Sequence, residues 1–297
     1  MATEWKGKSR GTVLGYKIFV FCMKNLGLGS AYFVLNFVAT YFVFFALDGS
    51  KAIYYYFHKR LGYSKFKSLI SIFKSYYVFG QTIIDKVAIS SGLREKFTYE
   101  FDGMHLIEET LRAKKGGVLI SAHVGNFEIA EHFFGDLEED ASISLLTTDV
   151  EHSAIKDYLE SVTKKSNINF ILIQEDLSHI FEINAALARN EIVCMTGDRY
   201  IENSKFLEHE LLGKKAKFPA GPFLLASRLN VPVLFVYVMK ETNTHYHLYT
   251  RKSHTKHRDA LGLLEEYTQS VTWMLKKYPL QWFNYFDFWC ANKDLKN

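Results

Sequence analysis

The amino-acid sequence predicts an α/β fold, a mostly parallel sheet flanked by helices, preceded by an apolar helical segment that associates with a membrane. Two observations predict this arrangement. From about residue 99 onward, short apolar runs alternate with segments of helical periodicity. Before that point, the whole run from Leu26 to Leu47 carries no charge. We therefore expect an N-terminal membrane-associating helical region, 1–92, and an α/β domain, 93–297.

The uncharged run from Leu26 to Leu47 is long enough to cross a bilayer. Basic residues flank it equally: five Lys or Arg against one Glu in residues 4–24, and five against one Asp in residues 48–67. Equal flanks give no orientation, and a single crossing would place one basic flank outside. Insertion in the plane of the interface, or as a hairpin, keeps both flanks beside anionic lipid. We rank this interfacial insertion first, a spanning helix second and a buried core helix third. A second apolar helical pattern, 62–92, is expected to pack on the core.

The α/β part should hold alternating strands and helices. The strands are expected near 117–122, 143–148, 169–173, 191–196, 231–239 and 245–251. The helices are expected near 104–114, 127–134, 152–165, 178–190, 219–229 and 257–277. The stretch from Tyr200 to Lys217, with its cluster of lysines, is expected to be a solvated loop. In such sheets, functional groups gather at the carboxyl ends of the strands.

Composition excludes several classes of protein. With 297 residues and 48% apolar residues, the chain can bury one sizeable core. Three widely separated cysteines argue against a disulfide framework and favour a reducing compartment. A net charge of +4 without a basic repeat argues against nucleic-acid binding, and it suits anionic lipid or an acidic carrier protein. Aromatic residues make up 16% of the chain and concentrate near both termini, which indicates a membrane boundary.

The segment His123-Val-Gly-Asn-Phe-Glu128 is the strongest functional signal. It comes after a predicted strand and opens a predicted helix. If Gly125 and Asn126 form the turn, with Asn126 as the helix N-cap, Glu128 can reach the His123 imidazole. The carboxylate would hold one ring nitrogen and leave the other as a base for an alcohol or amine.

Two other interpretations of this segment stay open. In the first, His123 only caps a backbone carbonyl at a polar strand end. In the second, His123, Glu128 and His132 bind zinc, although their spacing matches neither HExxH nor HxxEH. We therefore predict no metal.

A second polar group, Asp198-Arg199, comes after the predicted strand at 191–196. An arginine at such a strand end can bind a phosphate, a carboxylate or a carbonyl oxygen through its fork of donors. Asp198 either orients that arginine or caps the strand end. Because Asp198-Arg199 and His123 both lie at strand ends, we expect one shared site.

These motifs together resemble a known family. The H-x4-E block resembles the H-x4-[DE] signature of the glycerolipid (lysophospholipid-type) acyltransferases, and specifically their lipid A biosynthesis (late) acyltransferase branch. The segments Ile192-Val-Cys-Met-Thr-Gly-Asp-Arg199 and Phe218-Pro-Ala-Gly-Pro222 are similar to the next two motifs of that branch, in the same order. The resemblance runs from about Gly116 to Lys240. The ending, 278–289, looks more like the branch associated with aryl-polyene and flexirubin-type lipids.

The resemblance implies a membrane-associated acyltransferase that moves a fatty acyl group from acyl carrier protein or coenzyme A to a hydroxyl or amine of a lipid, without a cofactor. His123 and Glu128 would be catalytic, and Asn126, Asp198 and Arg199 would bind substrate. Backbone N–H groups at the helix start, with Asn126 or Arg199, would stabilise the oxyanion. The expected location is the cytoplasmic (inner) membrane of a bacterium, with the catalytic domain in the cytosol. A hydrolase with the same dyad and a non-catalytic membrane scaffold are the rival functions.

Overall fold

The computed structural model describes residues 13–130, 132, 142–147, 168–174, 176–200 and 204–289. Its strands, in chain order, are β1 (Thr98–Asp102), β2 (Gly117–Ser121), β3 (Ile143–Thr147), β4 (Ile168–Leu172), β5 (Ile192–Thr196), β6 (Phe206–Leu211), β7 (Lys214–Pro219), β8 (Val233–Lys240) and β9 (His245–Lys252). Its α-helices are α1 (Val13–Leu26), α2 (Leu28–Phe45), α3 (Leu47–Tyr55), α4 (Lys65–Ala88), α5 (Met104–Arg112), α6 (His179–Ala188), α7 (Ala220–Arg228) and α8 (Ala260–Lys277).

Seven of these strands form one sheet in the order β1-β9-β8-β2-β5-β3-β4. Strands β8, β2, β5, β3 and β4 are parallel, β9 runs antiparallel to β8, and β1 runs parallel to β9. The central strand β2 is buried along its whole length, which explains its continuous apolar run. The mostly parallel α/β sheet predicted from the sequence is therefore confirmed.

The carboxyl ends of β2 and β5 lie at the same edge of this sheet. The two strands are neighbours, and Ser121 at the end of β2 pairs with Thr196 at the end of β5. The residues just beyond the end of each strand, including His123 and Asp198, are therefore brought together.

The prediction that Tyr200 to Lys217 is a loop was wrong. Strands β6 and β7 form an antiparallel hairpin in which Glu208 pairs with Lys217 and Glu210 with Lys215. The two residues between the strands have positive φ angles of 51° and 79°, as a two-residue hairpin turn requires. The lysine cluster belongs to a strand whose cross-strand neighbours include glutamates.

Two other differences concern elements at the edges. Strand β1 was not predicted, although its burial alternates along its length as in a strand with one solvated face. The helix expected at 127–134 begins as a short 3₁₀ turn, Phe127–Ile129, and the greater part of its remaining residues lies outside the described ranges. The helix expected at 152–165 lies wholly outside them.

Helix α2 has two different faces. One face packs against α1 and α4 through the buried residues Leu28, Ala31, Tyr32, Leu35 and Ala39. The opposite face carries exposed aromatic side chains, which we call the α2 apolar surface: Phe33, Phe37, Tyr41, Phe44 and Phe45. Within the part of the chain that the structure describes, α2 is the one helix long and apolar enough to cross a membrane, with a mean hydropathy of 1.7.

A buried ion pair joins the N-terminal helices to the sheet. Asp85 of α4 accepts hydrogen bonds from the Lys240 ammonium at the end of β8 and from the hydroxyls of Tyr32 and Tyr246. Lys240 also donates to the backbone carbonyl of Asn243 at 2.6 Å. Burial raises the pKa of Asp85 despite these three donors, so removing any one of them would leave a buried charge poorly compensated. The cluster therefore ties α2 and α4 to β8 and to Tyr246 of β9.

Candidate active site

The catalytic candidates lie in a tight turn that leaves the carboxyl end of β2. Gly125 has a φ of +66°, and a Cβ at this position would lie 2.2 Å from the carbonyl oxygen of Val238. Only glycine allows both this backbone conformation and this close approach to β8. The turn is therefore pressed against the end of the neighbouring strand.

Backbone hydrogen bonds anchor the turn on three sides. They join, donor first, Val124 to Ala122 (2.7 Å), Gly125 to Gln281 (2.9 Å), Asn126 to Val238 (2.7 Å) and Phe283 to His123 (2.9 Å). The backbone N–H of His123 donates to the Asp198 carboxylate instead. The N–H groups of residues 123–126 are thus used within the protein. The expectation that backbone N–H groups at the start of the following 3₁₀ turn, Phe127–Ile129, stabilise the oxyanion stays a prediction.

Asp198 holds His123 through two contacts. Its Oδ1 lies 2.7 Å from the imidazole Nδ1, and its Oδ2 accepts the His123 backbone N–H at 2.9 Å. The carboxylate is 2% exposed, whereas the His123 side chain is 27% exposed. The pair therefore has a buried acid and a ring that solvent or a substrate can reach.

Electrostatics keep this carboxylate ionised. Burial would raise the pKa of Asp198, but the interactions with His123 and with the Arg199 guanidinium lower it to about 2. An ionised carboxylate only accepts hydrogen bonds, so Nδ1 of a neutral His123 carries the proton and Nε2 carries the lone pair. This tautomer is the one that a general base working through Nε2 requires.

Arg199 faces the C-terminal segment. Its Nε donates to Oδ1 of Asn284 at 2.7 Å, and its Nη2 donates to the carbonyl of Phe283 at 2.9 Å. Burial lowers the pKa of Arg199 to about 10, against the opposing effect of Asp198, so the guanidinium stays charged at neutral pH. Whether Arg199 also binds substrate remains a prediction.

The sequence left open whether Asp198 orients Arg199 or caps its strand. The structure gives it a different partner, the imidazole of His123, 75 positions earlier in the chain. The parallel pairing of two strands that end in polar motifs was a signal that could have suggested this contact. Asn284, whose Nδ2 donates to Asp198 Oδ2 at 2.7 Å, carried no local signal.

The other predicted site residues lie around the turn. Glu128 belongs to the 3₁₀ turn Phe127–Ile129, but its side chain lies outside what the structure describes. Asn126 occupies the N-cap position of this turn, as predicted, but its side chain makes no capping hydrogen bond. Its amide instead donates to the Thr82 carbonyl at 2.9 Å. Its predicted contact with substrate stays a prediction. The His132 ring lies 3.2 Å from the Ser90 hydroxyl.

Comparison with known proteins gives one clear match. The family model described as bacterial lipid A biosynthesis acyltransferase matches residues 12–287 of the chain. No curated protein matches the chain.

Proposed function

Since the chain belongs to the bacterial lipid A biosynthesis acyltransferase family, we propose that it transfers a fatty acyl group from an acyl thioester, of acyl carrier protein or coenzyme A, to a hydroxyl or amine of a membrane lipid. The observation that carries this proposal is the contact between His123 and the ionised Asp198 at the carboxyl end of β2. It places an oriented imidazole where an α/β sheet gathers its functional groups.

The reaction then proceeds by proton transfer at His123. Nε2 takes the proton of the acceptor hydroxyl or amine, and the acceptor oxygen or nitrogen attacks the thioester carbonyl carbon. As the tetrahedral intermediate collapses, the carbon–sulfur bond breaks and the imidazolium returns its proton to the departing thiolate. Asp198 stabilises the imidazolium between these steps. Glu128 would support His123 in these steps, as the H-x4-E motif implies.

The α2 apolar surface supports membrane association. Phe33, Phe37 and Phe44 are each 66% exposed, and Phe45 is 70% exposed. A contiguous surface of aromatic rings is unfavourable in water. Because the opposite face of α2 packs on α1 and α4, we propose that the helix lies in the interface with this surface in the lipid, on the cytosolic side of the inner membrane.

The catalytic proposal is tested by acyl transfer in the presence of vesicles. We expect His123→Ala to lower the rate by about 10² to 10⁴, the usual contribution of a general base, and Glu128→Ala to lower it less. His105→Ala, which changes an exposed histidine on α5, should leave the rate unchanged. Mass spectrometry of the lipid products and of free fatty acid separates transfer from hydrolysis. Near-normal transfer by folded His123→Ala, or release of free acid alone, would contradict the proposal.

The membrane proposal is tested by co-sedimentation with anionic vesicles. Full burial of a Phe side chain contributes about 1.5–3 kcal/mol, so scaling by the exposed fraction gives about 1–2 kcal/mol each for Phe33 and Phe37. Replacing both with Ser should weaken vesicle binding by at least about tenfold. Phe181→Ser, at a phenylalanine of α6 that is 79% exposed, is the matched control and should have no effect. Equal binding by all these proteins would show that the α2 apolar surface does not contact lipid.

A further inference from the structure

The segment after α8 runs directly beside the catalytic turn. Trp282 forms an antiparallel bridge with Val124, and the backbones of Gln281 and Phe283 bond to Gly125 and His123. This pairing carries the next side chain, Asn284, into the site, where it is 4% exposed.

Asn284 lies between the two charged groups of the site. Its Nδ2 donates to Oδ2 of Asp198 at 2.7 Å, and its Oδ1 accepts from Nε of Arg199 at 2.7 Å. An amide has a donor at one end and an acceptor at the other, so it matches a carboxylate on one side and a guanidinium on the other. The aspartate and arginine therefore fix which way the amide points.

We propose that Asn284 is a positioning residue for acyl transfer, which orients the Asp198 carboxylate and thereby sets the tautomer and the proton affinity of His123. This inference rests on the proposed function for its catalytic meaning, although the positioning itself is a property of the folded protein. Asp198 Oδ2 accepts from the His123 backbone N–H and from Asn284 Nδ2. Without the second donor, the carboxylate is free to turn away from the geometry that bonds Oδ1 to Nδ1.

Few charged groups among the described residues compete with Asp198 in setting the proton affinity of His123. Burial raises the pKa values of Tyr237, Tyr267 and Tyr285, which lie near Asp198 or Arg199, so their hydroxyls are neutral throughout the pH range in which histidine titrates. Among the described side chains, the charged groups that the contacts bring to this site are therefore Asp198 and Arg199. A charge introduced at position 284 should act directly on the titration of the imidazole.

The experiment is an NMR titration of His123 in histidine-labelled protein, with the signal assigned by its loss in His123→Ala. Asn284→Asp keeps the acceptor for Arg199 but places a second carboxylate against Asp198. This favours the imidazolium and should raise the titration midpoint by about one pH unit or more. Asn284→Ala removes the donor without adding charge. Because a carboxylate that turns away from Nδ1 stabilises the imidazolium less, we expect a lower titration midpoint and a weaker Nδ1–H signal. Either variant alone suffices if the other does not fold.

The matched control is Asn190→Asp. Asn190 is also doubly bonded, with its Oδ1 accepting from Gly116 and its Nδ2 donating to Leu111, but it lies before β5 rather than at the carboxyl edge of the sheet. This variant loses the same kind of donor and should leave the His123 midpoint unchanged. If Asn284→Asp and Asn284→Ala, both folded, also leave the midpoint and the Nδ1–H signal unchanged, Asn284 has no positioning role.

Rates of acyl transfer connect this role to function. We expect both Asn284 variants to lower kcat by about 10- to 100-fold, with little change in KM. This loss in kcat is the range expected when one hydrogen bond to a charged group is removed. A wild-type protein that transfers acyl groups, with unshifted titrations in the variants, would refute the positioning role alone. A wild-type protein without transferase activity, with shifted titrations, would refute the proposed function alone.

Discussion

Replacing Asp198 with asparagine is the sharpest test of the site, because it changes the chemistry of one side chain without changing its size. The carboxylate accepts hydrogen bonds from three N–H groups: the His123 imidazole, the His123 backbone and the Asn284 amide. An asparagine has one acceptor atom and one donor atom. Whichever way it turns, at least one of these N–H groups meets another donor.

The size of the expected losses can be worked from these contacts. If the new amide donates to Nδ1, the imidazole is held in the wrong tautomer and the rate of acyl transfer should fall by about 10² to 10⁴. The free energy of unfolding should fall as well. The difference between the ordinary pKa of 3.8 and the folded value of about 2 corresponds to about 2 kcal/mol at neutral pH. Because the folded pKa is depressed, the wild type holds this stability above pH 4 and loses it as the pH falls through 2.

The assay is urea unfolding at several pH values, together with acyl transfer at pH 7. Asp198→Asn should be less stable than the wild type at pH 7, and the difference should shrink below pH 4. Asp102→Asn, at a carboxylate that is 49% exposed beside Arg251, serves as the control and should change stability and rate little. A folded Asp198→Asn variant with wild-type kcat would refute the assignment of Asp198 as the partner that orients His123.

Two further substitutions test the frame around this pair. Gly125→Ala should lower the melting temperature and abolish transfer. Its Cβ would lie 2.2 Å from the Val238 carbonyl oxygen, and a φ of +66° alone costs a non-glycine residue about 1–3 kcal/mol. A stable, active variant would mean that the turn is not held against β8. Arg199→Lys should lower both the rate and the free energy of unfolding, by about 1–3 kcal/mol for the latter, because one ammonium cannot serve both acceptors of the guanidinium. Unchanged values for the lysine variant would show that the planar fork is not required.

Elements with a strong local pattern were predictable from the sequence. Strand β2 is a continuous apolar run because both of its faces are buried, and helix α8 has a helical repeat of apolar residues. The hairpin β6–β7 was missed because its charged residues obscured a period of two, and because a leucine at positive φ in its turn gives no composition signal. Local patterns predict an element well when burial, rather than pairing with another strand, determines which residues it contains.

The candidate site shows the same limit more strongly. His123 was found because its glycine turn and the glutamate after it are neighbours in sequence. Its bonded partner Asp198 is 75 positions away, and Asn284 is a further 86 positions beyond Asp198. These contacts depend on strand order and on the path of the C-terminal segment. No short segment of the sequence predicts either the strand order or that path.

The position of the segment 281–284 has a consequence for biosynthesis. A chain emerges from the ribosome N-terminal end first, so α1 and α2 are available to lipid while the segment that anchors the catalytic turn has not yet been made. The base cannot be oriented until that segment pairs with residues 123–125. Under the proposed function, the nascent chain would reach the membrane before its base is oriented. We therefore expect a chain that stops before residue 281 to bind vesicles without transferring acyl groups.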